Sequence, residues 1–213
     1  MTHAGRTMGT IDRKQHWETV YAKKAENEVS WFQQEPAVSI EFIRHCGADK
    51  DAAIIDIGGG ESRLVDRLLD AGYSNVTVLD LSAHAIEHTR ARLKERAAAV
   101  NWIVADITAW TPPRRYRLWH DRAVLHFLTE PQERKAYIRV LAEAVEPGGC
   151  VVISTFALDG PERCSGLPVM RYSGKTLAAE LGREFRLIET VSEDHRTPGG
   201  AVQRFQFSRL QRI

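Results

Sequence analysis

The sequence predicts an α/β fold: an open, mostly parallel sheet with helices on both faces. Two observations predict it. Short apolar runs alternate five times with amphipathic helical segments, and a final pair of extended stretches closes the chain. The length of 213 residues suits one such domain and is short for two. Ligands of these sheets bind beyond the carboxyl ends of the strands, so the loops after the strands are the first place to look for function.

The first half of the chain provides three strands. Residues 53–57, 76–79 and 100–104 are apolar runs of strand length. The helix after the first strand carries its apolar side chains on one face and is ended by Gly72. Ser82 is a good N-cap for the helix after the second strand.

The second half continues the alternation. Pro131 suits the first turn of a helix, and Pro147 with two following glycines breaks that helix. Ser173 is a suitable cap for a last helix that runs through Leu181. The strands predicted in this half are residues 116–120, 150–154, 185–191 and 201–210.

Composition excludes several classes of protein. The formal net charge is +1, so there is no bulk electrostatic case for a nucleic-acid or membrane binder. No apolar run approaches the roughly 20 residues of a membrane span, and the start lacks the apolar core of a secretory signal. The three cysteines indicate a reducing cytoplasm rather than a disulfide framework. We therefore expect a cytoplasmic protein, monomeric or homodimeric.

The polar residues 1–12 predict a flexible tail, and no linker divides residues 13–213, which form one predicted domain.

A glycine-rich loop, Asp56-Ile-Gly-Gly-Gly-Glu-Ser62, follows the first strand. Glycines let a backbone turn tightly and approach a ligand, and the next helix offers free N–H groups. A phosphate loop is excluded, because the Gly-Lys-Thr at 174–176 lacks both the upstream glycine and a preceding strand. A dinucleotide fingerprint needs a third glycine where Arg63 stands. The remaining class of ligand is an adenosyl sulfonium, which has no phosphate to bind.

Two carboxylates follow the next strands. Asp80 ends the second strand, 20 residues after Gly60, where a carboxylate can bind ribose hydroxyls. Asp106 ends the third strand and can accept a hydrogen bond from an adenine amino group. Either residue alone could be a turn or cap residue, but three successive strand ends with Asp or Gly favour a nucleoside site.

The run IIDIGGGESRLVDRLLDAGYSNVTVLDLS, the later VADIT and the fifth strand after EPGG resemble the class I S-adenosylmethionine-dependent methyltransferases over residues 13–210. The resemblance implies a Rossmann-like, doubly wound sheet of seven strands in the order 3-2-1-4-5-7-6, with the last strand antiparallel. It implies S-adenosylmethionine as the cofactor and S-adenosylhomocysteine as the product. Ser62 departs from the family pattern, which often has a glycine there. The expected cofactor-binding residues are Trp17, Trp31, Asp56, Gly58, Gly59, Gly60, Ser62, Asp80, Leu81, Asp106, Ile107 and His120.

Two further segments resemble the thiopurine and tellurite-resistance methyltransferases. The aromatic residues around Trp17 and Trp31 resemble those in the N-terminal lid of these enzymes, and we assign the lid to residues 13–48. The alternative is that both tryptophans only pack an extra helix against the core. Trp-His-Asp-Arg-Ala at 119–123 is similar to the segment after the fourth strand of those enzymes.

The candidate catalytic residues are His120, Asp121 and His126, the titratable groups nearest the fourth strand end. A base is needed only if the nucleophile arrives protonated. His126 could instead face the core, and Asp121 with Arg122 could be an ion pair that fixes the loop.

The loop at 156–172 is long for a link between a strand and a helix, which favours an ordered substrate-side lid. Candidate substrate-binding residues are Cys164, Arg171, Tyr172 and His195, although a lone buried cysteine is usually inert packing. The histidine and cysteine spacings fit no metal site, so none is expected.

We interpret the sequence as a methyltransferase that acts on a small-molecule N, O or S/Se/Te acceptor. Protein lysine methylation is the alternative, since related compact folds share the Trp-Glu-x-x-Tyr start at 17–21. An enclosed pocket would favour the first and an open acidic groove the second. An NAD(P)-dependent oxidoreductase and a non-catalytic nucleotide-binding module are the alternatives of other classes.

Overall fold

The computed structural model of the protein describes residues 12–213, so most of the predicted tail lies outside the described residues. Asp12 itself is the N-cap of the first helix, and its side chain accepts a hydrogen bond from the Gln15 backbone N–H at 3.1 Å. The helices are α1 (Arg13–Lys23), α2 (Ala37–His45), α3 (Leu64–Asp70), α4 (Ala83–Leu93), α5 (Pro131–Ala144) and α6 (Gly174–Leu181).

Seven strands form the main sheet in the order β3-β2-β1-β4-β5-β7-β6. The pairs among β1 to β5 are parallel, whereas β7 runs antiparallel to both of its neighbours. Both the predicted order and the antiparallel last strand are confirmed. The strands are β1 (Ile54–Ile57), β2 (Val76–Asp80), β3 (Val100–Val104), β4 (Tyr116–Arg122), β5 (Val145–Phe156), β6 (Phe185–Arg196) and β7 (Val202–Arg212).

Two apolar layers cover the sheet because successive strand side chains point to opposite faces. Ile55 packs in the layer that contains Tyr137 of α5 and Leu177 of α6. Ile54 packs in the other layer, together with Phe42 of α2 and residues of α3. The predicted helix caps are confirmed: Ser82 and Ser173 accept hydrogen bonds from the first turns of α4 and α6.

Three strands are at least two residues longer than the sequence predicts. β5 begins at Val145, directly after α5, and its register on β4 shifts between Tyr116 and Leu118. Pro147 and the glycines therefore form an irregular strand segment and not a gap before the strand. β4 reaches Arg122 and β6 reaches Arg196, where polar residues continue the ladder.

The cysteines differ from the expectation of unpaired thiols. Cys46, at the C-terminus of α2, and Cys150, on β5, form a disulfide with their Cα atoms 5.7 Å apart. They are separated by 104 positions in sequence, so only the fold brings them together. Cys164 is free and buried. Among residues 12–213, no helix has both the length and the apolar character that crossing a membrane requires.

Candidate functional site

A cavity lies at the carboxyl ends of β1 to β4, where the fold predicts a ligand. Its empty space amounts to about 850 Å³, a figure that includes space open to solvent. Strand ends form its floor, and α1 with the segment around Trp31 forms its roof. Eight of the residues predicted from sequence line it: Trp17, Trp31, Gly58, Asp80, Leu81, Asp106, Ile107 and Cys164.

The glycine loop has no room for side chains. Gly58 and Gly60 have φ values of +65° and +28°, in the left-handed region that favours glycine. A Cβ on Gly58 would overlap the Val124 side chain, and one on Gly60 would lie 2.8 Å from Asp80 Oδ2. Gly58 therefore presents bare backbone at the cavity floor, whereas Gly59 and Gly60 are not among the lining residues.

A relay of three buried, hydrogen-bonded side chains, Asp56, His120 and Ser39, lies behind this loop. His120 Nδ1 is 2.7 Å from Asp56 Oδ1, and His120 Nε2 is 2.9 Å from Ser39 Oγ of α2. All three side chains are buried, and Asp56 Oδ2 lies where a Cβ on Gly59 would meet it at 2.6 Å. His120 and Asp56 do not line the cavity, because His120 points toward α2. The relay supports the glycine loop from the side opposite a ligand.

The two predicted carboxylates differ in environment. Asp80 is buried, and its Oδ1 accepts a hydrogen bond from the Ser82 backbone N–H at 2.8 Å. Burial raises the pKa of Asp80 to about 7. Asp106 is exposed at the rim, and its Oδ1 accepts hydrogen bonds from the Thr108 N–H at 2.8 Å and hydroxyl at 2.7 Å. Both can accept hydrogen bonds from a nucleoside.

The roof is an aromatic cluster. The Trp17 ring centroid is 5.6 Å from that of Trp31 and 5.0 Å from that of Phe127, both edge-on. Such edge-to-face contacts stabilise aromatic pairs beyond their buried area.

Glu18 connects the roof helix α1 to the N-terminus of α4 by hydrogen bonds. Its carboxylate accepts hydrogen bonds at 2.9 Å from the Ala83 N–H and the Ser82 hydroxyl, at the N-terminus of α4. Partial burial raises the pKa of Glu18, but hydrogen bonds from His84, Ala83 and Ser82 outweigh it and lower the pKa to about 2. The carboxylate is also favoured by the positive end of the α4 dipole.

Asp121 and His126 lie outside the cavity wall. Asp121 accepts hydrogen bonds from the Val124 N–H at 2.7 Å and the Tyr137 hydroxyl at 2.6 Å, so it fixes the turn after β4. Burial raises its pKa to about 6. His126 is wholly buried beside Phe156, and burial lowers its pKa to about 3, which keeps the ring neutral. Neither residue faces a ligand in the cavity.

The candidate substrate residues separate into two groups. Cys164 lines the cavity, and burial raises its pKa to about 11, so it stays a thiol at neutral pH. Arg171 donates to the Gly160 carbonyl at 3.1 Å, and Tyr172 is buried behind the loop. His195 is 2.8 Å from the Ser30 carbonyl. Arg171, Tyr172 and His195 do not line the cavity.

Ser62 also lies apart from the main cavity. Its hydroxyl accepts a hydrogen bond from the Leu64 N–H at 3.1 Å, and the residue lines a smaller adjoining cavity together with Trp31 and Arg122.

Sequence reasoning missed eleven of the 19 lining residues, including Arg13, Tyr21, Arg122 and Phe205. Arg13 and Tyr21 belong to the roof helix α1, and Arg122 is the last residue of β4, directly before the turn that Asp121 fixes. Phe205 reaches the cavity because β7 pairs with β5, which places Phe205 opposite Phe156. No local sequence pattern predicts that long-range contact.

Comparisons with known proteins find similarity to methyltransferases. Residues 54–149 match the family described as a methyltransferase domain. The chain is 31% identical over 118 residues to a ubiquinone biosynthesis O-methyltransferase of Hydrogenovibrio crunogenus, covering 54% of this chain and 47% of that protein. It is 25% identical over 162 residues to EEF1A lysine methyltransferase 2 of Mus musculus, covering 68% of this chain and 66% of that protein. The chain thus spans less than two thirds of either relative.

The fold has solved counterparts. The N-methyltransferase NodS from Bradyrhizobium japonicum WM9, solved in complex with S-adenosyl-L-homocysteine, superposes with a TM-score of 0.69 at 17% identity. The superposition covers 92% of this chain and 97% of NodS, so the likeness extends over the whole fold.

Proposed function

We propose that this chain is a class I S-adenosylmethionine-dependent methyltransferase and that it transfers the cofactor's methyl group to a small-molecule acceptor. The observation that carries the proposal is the roofed cavity at the ends of β1 to β4. It combines bare glycine backbone, two carboxylates on neighbouring strand ends and an aromatic roof.

The lining residues fit this cofactor. Gly58 leaves a side-chain-free stretch of wall for the methionine part. Gly60 leaves room for the Asp80 carboxylate, since a Cβ there would lie 2.8 Å from Asp80 Oδ2. Asp80 would accept hydrogen bonds from the ribose hydroxyls, and Asp106 one from the adenine amino group. When bound, S-adenosylmethionine would supply an electrophilic methyl group: an acceptor lone pair would bond to the methyl carbon while the carbon–sulfur bond breaks, leaving its electron pair on sulfur as a neutral thioether.

The chain itself aligns the reactants and excludes water. Positive charge disperses as a sulfonium methyl group is transferred, so alignment in a dry cavity is the main contribution a protein can make. Residues 13–48 act as the lid, with Trp17 and Trp31 facing the cavity, and residues 156–172 form the acceptor side, with Cys164 facing it.

The cavity wall favours an acceptor that needs no protein base. No histidine lines the part of the wall formed by residues 12–213, and Cys164 is held as a thiol. A soft sulfur, selenium or tellurium nucleophile, which reacts as an anion or a free lone pair, is therefore our first choice. The likeness to thiopurine and tellurite-resistance methyltransferases around Trp17 and Asp121 supports the same choice.

Protein lysine methylation is the second candidate, favoured by the likeness to the EEF1A lysine methyltransferase. An outer groove beside β6 carries Glu35, Glu193 and Asp194. Glu35 and Asp194 have cationic partners, Arg67 at 2.8 Å and Arg204 at 2.7 Å, whereas Glu193 accepts a hydrogen bond from the neutral Gln33 side chain at 2.9 Å. The groove therefore offers little free negative charge to a lysine.

A labelled-methyl assay tests the proposal. The purified chain is incubated with S-adenosylmethionine carrying a tritiated methyl group and either a panel of small thiols, selenols, tellurite, phenols and amines, or a protein extract. We expect label in the small-molecule fraction, with thiols or their heavier analogues preferred. Label confined to protein would favour the lysine candidate, and stabilisation by NADH but not by S-adenosylhomocysteine would contradict a methyltransferase.

A further inference from the structure

Arg122 is a cationic side chain in the cavity wall that the cofactor does not explain. It ends β4, lines both the main cavity and the smaller adjoining one, and lies over the Phe205 ring with its guanidinium carbon 4.7 Å from the centroid. Its Nη1 donates a hydrogen bond to the Trp31 carbonyl at 2.9 Å. That contact orients the side chain but does not neutralise it.

Within the described part of the chain, no carboxylate forms a direct ion pair with this guanidinium. Arg122 forms no ion pair within 4.0 Å, and its Nε and Nη2 atoms are buried without hydrogen-bond partners. Other partly buried arginines are paired: Arg13 in the same wall with Glu133, Arg92 with Asp66 at 2.7 Å and Arg134 with Glu180 at 2.7 Å. Burial lowers the pKa of Arg122, an effect that nearby acids, chiefly Glu193, only partly oppose.

Burying an uncompensated charge is costly, and an anion entering the same low-dielectric space removes much of that cost. A guanidinium also matches the planar geometry of a carboxylate or similar anion. The same cavity is lined by the apolar rings of Trp17, Trp31, Phe127 and Phe205, and by the carboxylates Asp80 and Asp106 at the strand ends.

We infer that Arg122 forms an anion subsite for the methyl acceptor, which is a small molecule with an apolar body and one negatively charged group. This inference rests on the proposed function and names the class of its substrate. Arg122 adjoins residues of the acceptor side: Phe205 lies beneath its guanidinium, and its charge acts on Cys164. The cofactor's own carboxylate is the other source of negative charge, so the test separates the two.

The test compares benzoate with its neutral analogue benzamide, each titrated into the protein saturated with S-adenosylhomocysteine and followed by calorimetry. We expect benzoate to bind the natural chain at least about tenfold more tightly than benzamide, since a charged hydrogen bond contributes that order of free energy. Arg122→Met removes the preference, and Arg122→Lys keeps part of it. Arg13→Met, the matched control in the same wall, leaves the preference intact because Arg13 is already paired with Glu133.

The cofactor arm compares S-adenosylhomocysteine with 5′-methylthioadenosine, which lacks the carboxylate. We expect Arg122→Met to change the affinity for neither compound more than about threefold. A selective loss of S-adenosylhomocysteine binding would assign the subsite to the cofactor and overturn the inference. Equal or absent binding of both probes by the natural chain would also overturn it, and this outcome does not depend on how well a variant folds. Failure of S-adenosylhomocysteine to bind the natural chain would instead refute the proposed function.

Discussion

The ionisation of Asp80 gives a pH dependence that can be worked out in advance. Burial raises the pKa of this carboxyl from 3.8 to about 7, while its position in the cavity makes it the expected acceptor for ribose hydroxyls. Only the ionised form accepts two such hydrogen bonds without a competing proton. With a pKa near 7, about 10% of the side chains are ionised at pH 6 and about 90% at pH 8. The dissociation constant for S-adenosylhomocysteine should therefore fall about ninefold over this range, roughly 1.3 kcal/mol of binding free energy.

The matched variant is Asp80→Asn, which keeps an acceptor for the Ser82 N–H but cannot ionise. Calorimetric titrations at pH 6, 7 and 8, in buffers of different ionisation enthalpy, should show proton release by the natural chain at pH 6 and none by the variant. At pH 8 the variant should bind about 10- to 100-fold more weakly, the cost of losing charged hydrogen bonds. Because folding raises the pKa of an acid, the ligand-free natural chain should also lose stability as the pH rises from 3.8 to about 7. A pH-independent dissociation constant for the natural chain, or a variant that binds equally well, would refute this reasoning.

Three further predictions concern the loop and the roof. Gly58→Ala should lower the free energy of unfolding in urea by about 3 kcal/mol, from backbone strain plus overlap with a neighbouring side chain, whereas Gly72→Ala, with φ +84° and open space around it, should cost only about 1–2 kcal/mol. His120→Ala should leave the buried side chains of Asp56 and Ser39 without their hydrogen-bond partner. The free energy of unfolding should fall by about 3 kcal/mol, and S-adenosylhomocysteine should bind more weakly. Slower turnover with unchanged stability would instead indicate that His120 acts as a base. Ionised Glu18 stabilises the roof above pH 4.5, and this stabilisation is lost as the pH falls toward 2. Tryptophan fluorescence should therefore show an acid transition over that range. If the Glu18→Gln variant shows the same transition, the Glu18 carboxylate is not its cause.

The fold and the meeting of strand ends at the cavity floor were predictable because they depend on local patterns. In a doubly wound sheet every strand of a β–α unit ends at the same edge, so Gly58, Asp80 and Asp106 could be placed together from their positions after apolar runs. Helix caps such as Ser82 are equally local, since the hydroxyl binds an N–H three residues away.

The acceptor side was less predictable because it depends on side-chain direction and long-range pairing. All residues of β4 from Leu118 to Asp121 are buried, so no alternation of polar and apolar side chains shows which face each occupies. His120 points to α2 and Asp121 to α5, and neither reaches the cavity that their chain position suggested. Phe205 lies opposite Phe156, and Cys46 lies beside Cys150, only because the folded sheet brings these distant positions together.

A crystal structure of the chain soaked with S-adenosylhomocysteine tests the central claim most directly. We predict electron density for the nucleoside in the roofed cavity, with the ribose hydroxyls at Asp80, the adenine amino group at Asp106 and the amino-acid end along Gly58 to Gly60. An empty cavity under saturating ligand, or a bound compound whose pyrophosphate occupies the glycine loop, would contradict it.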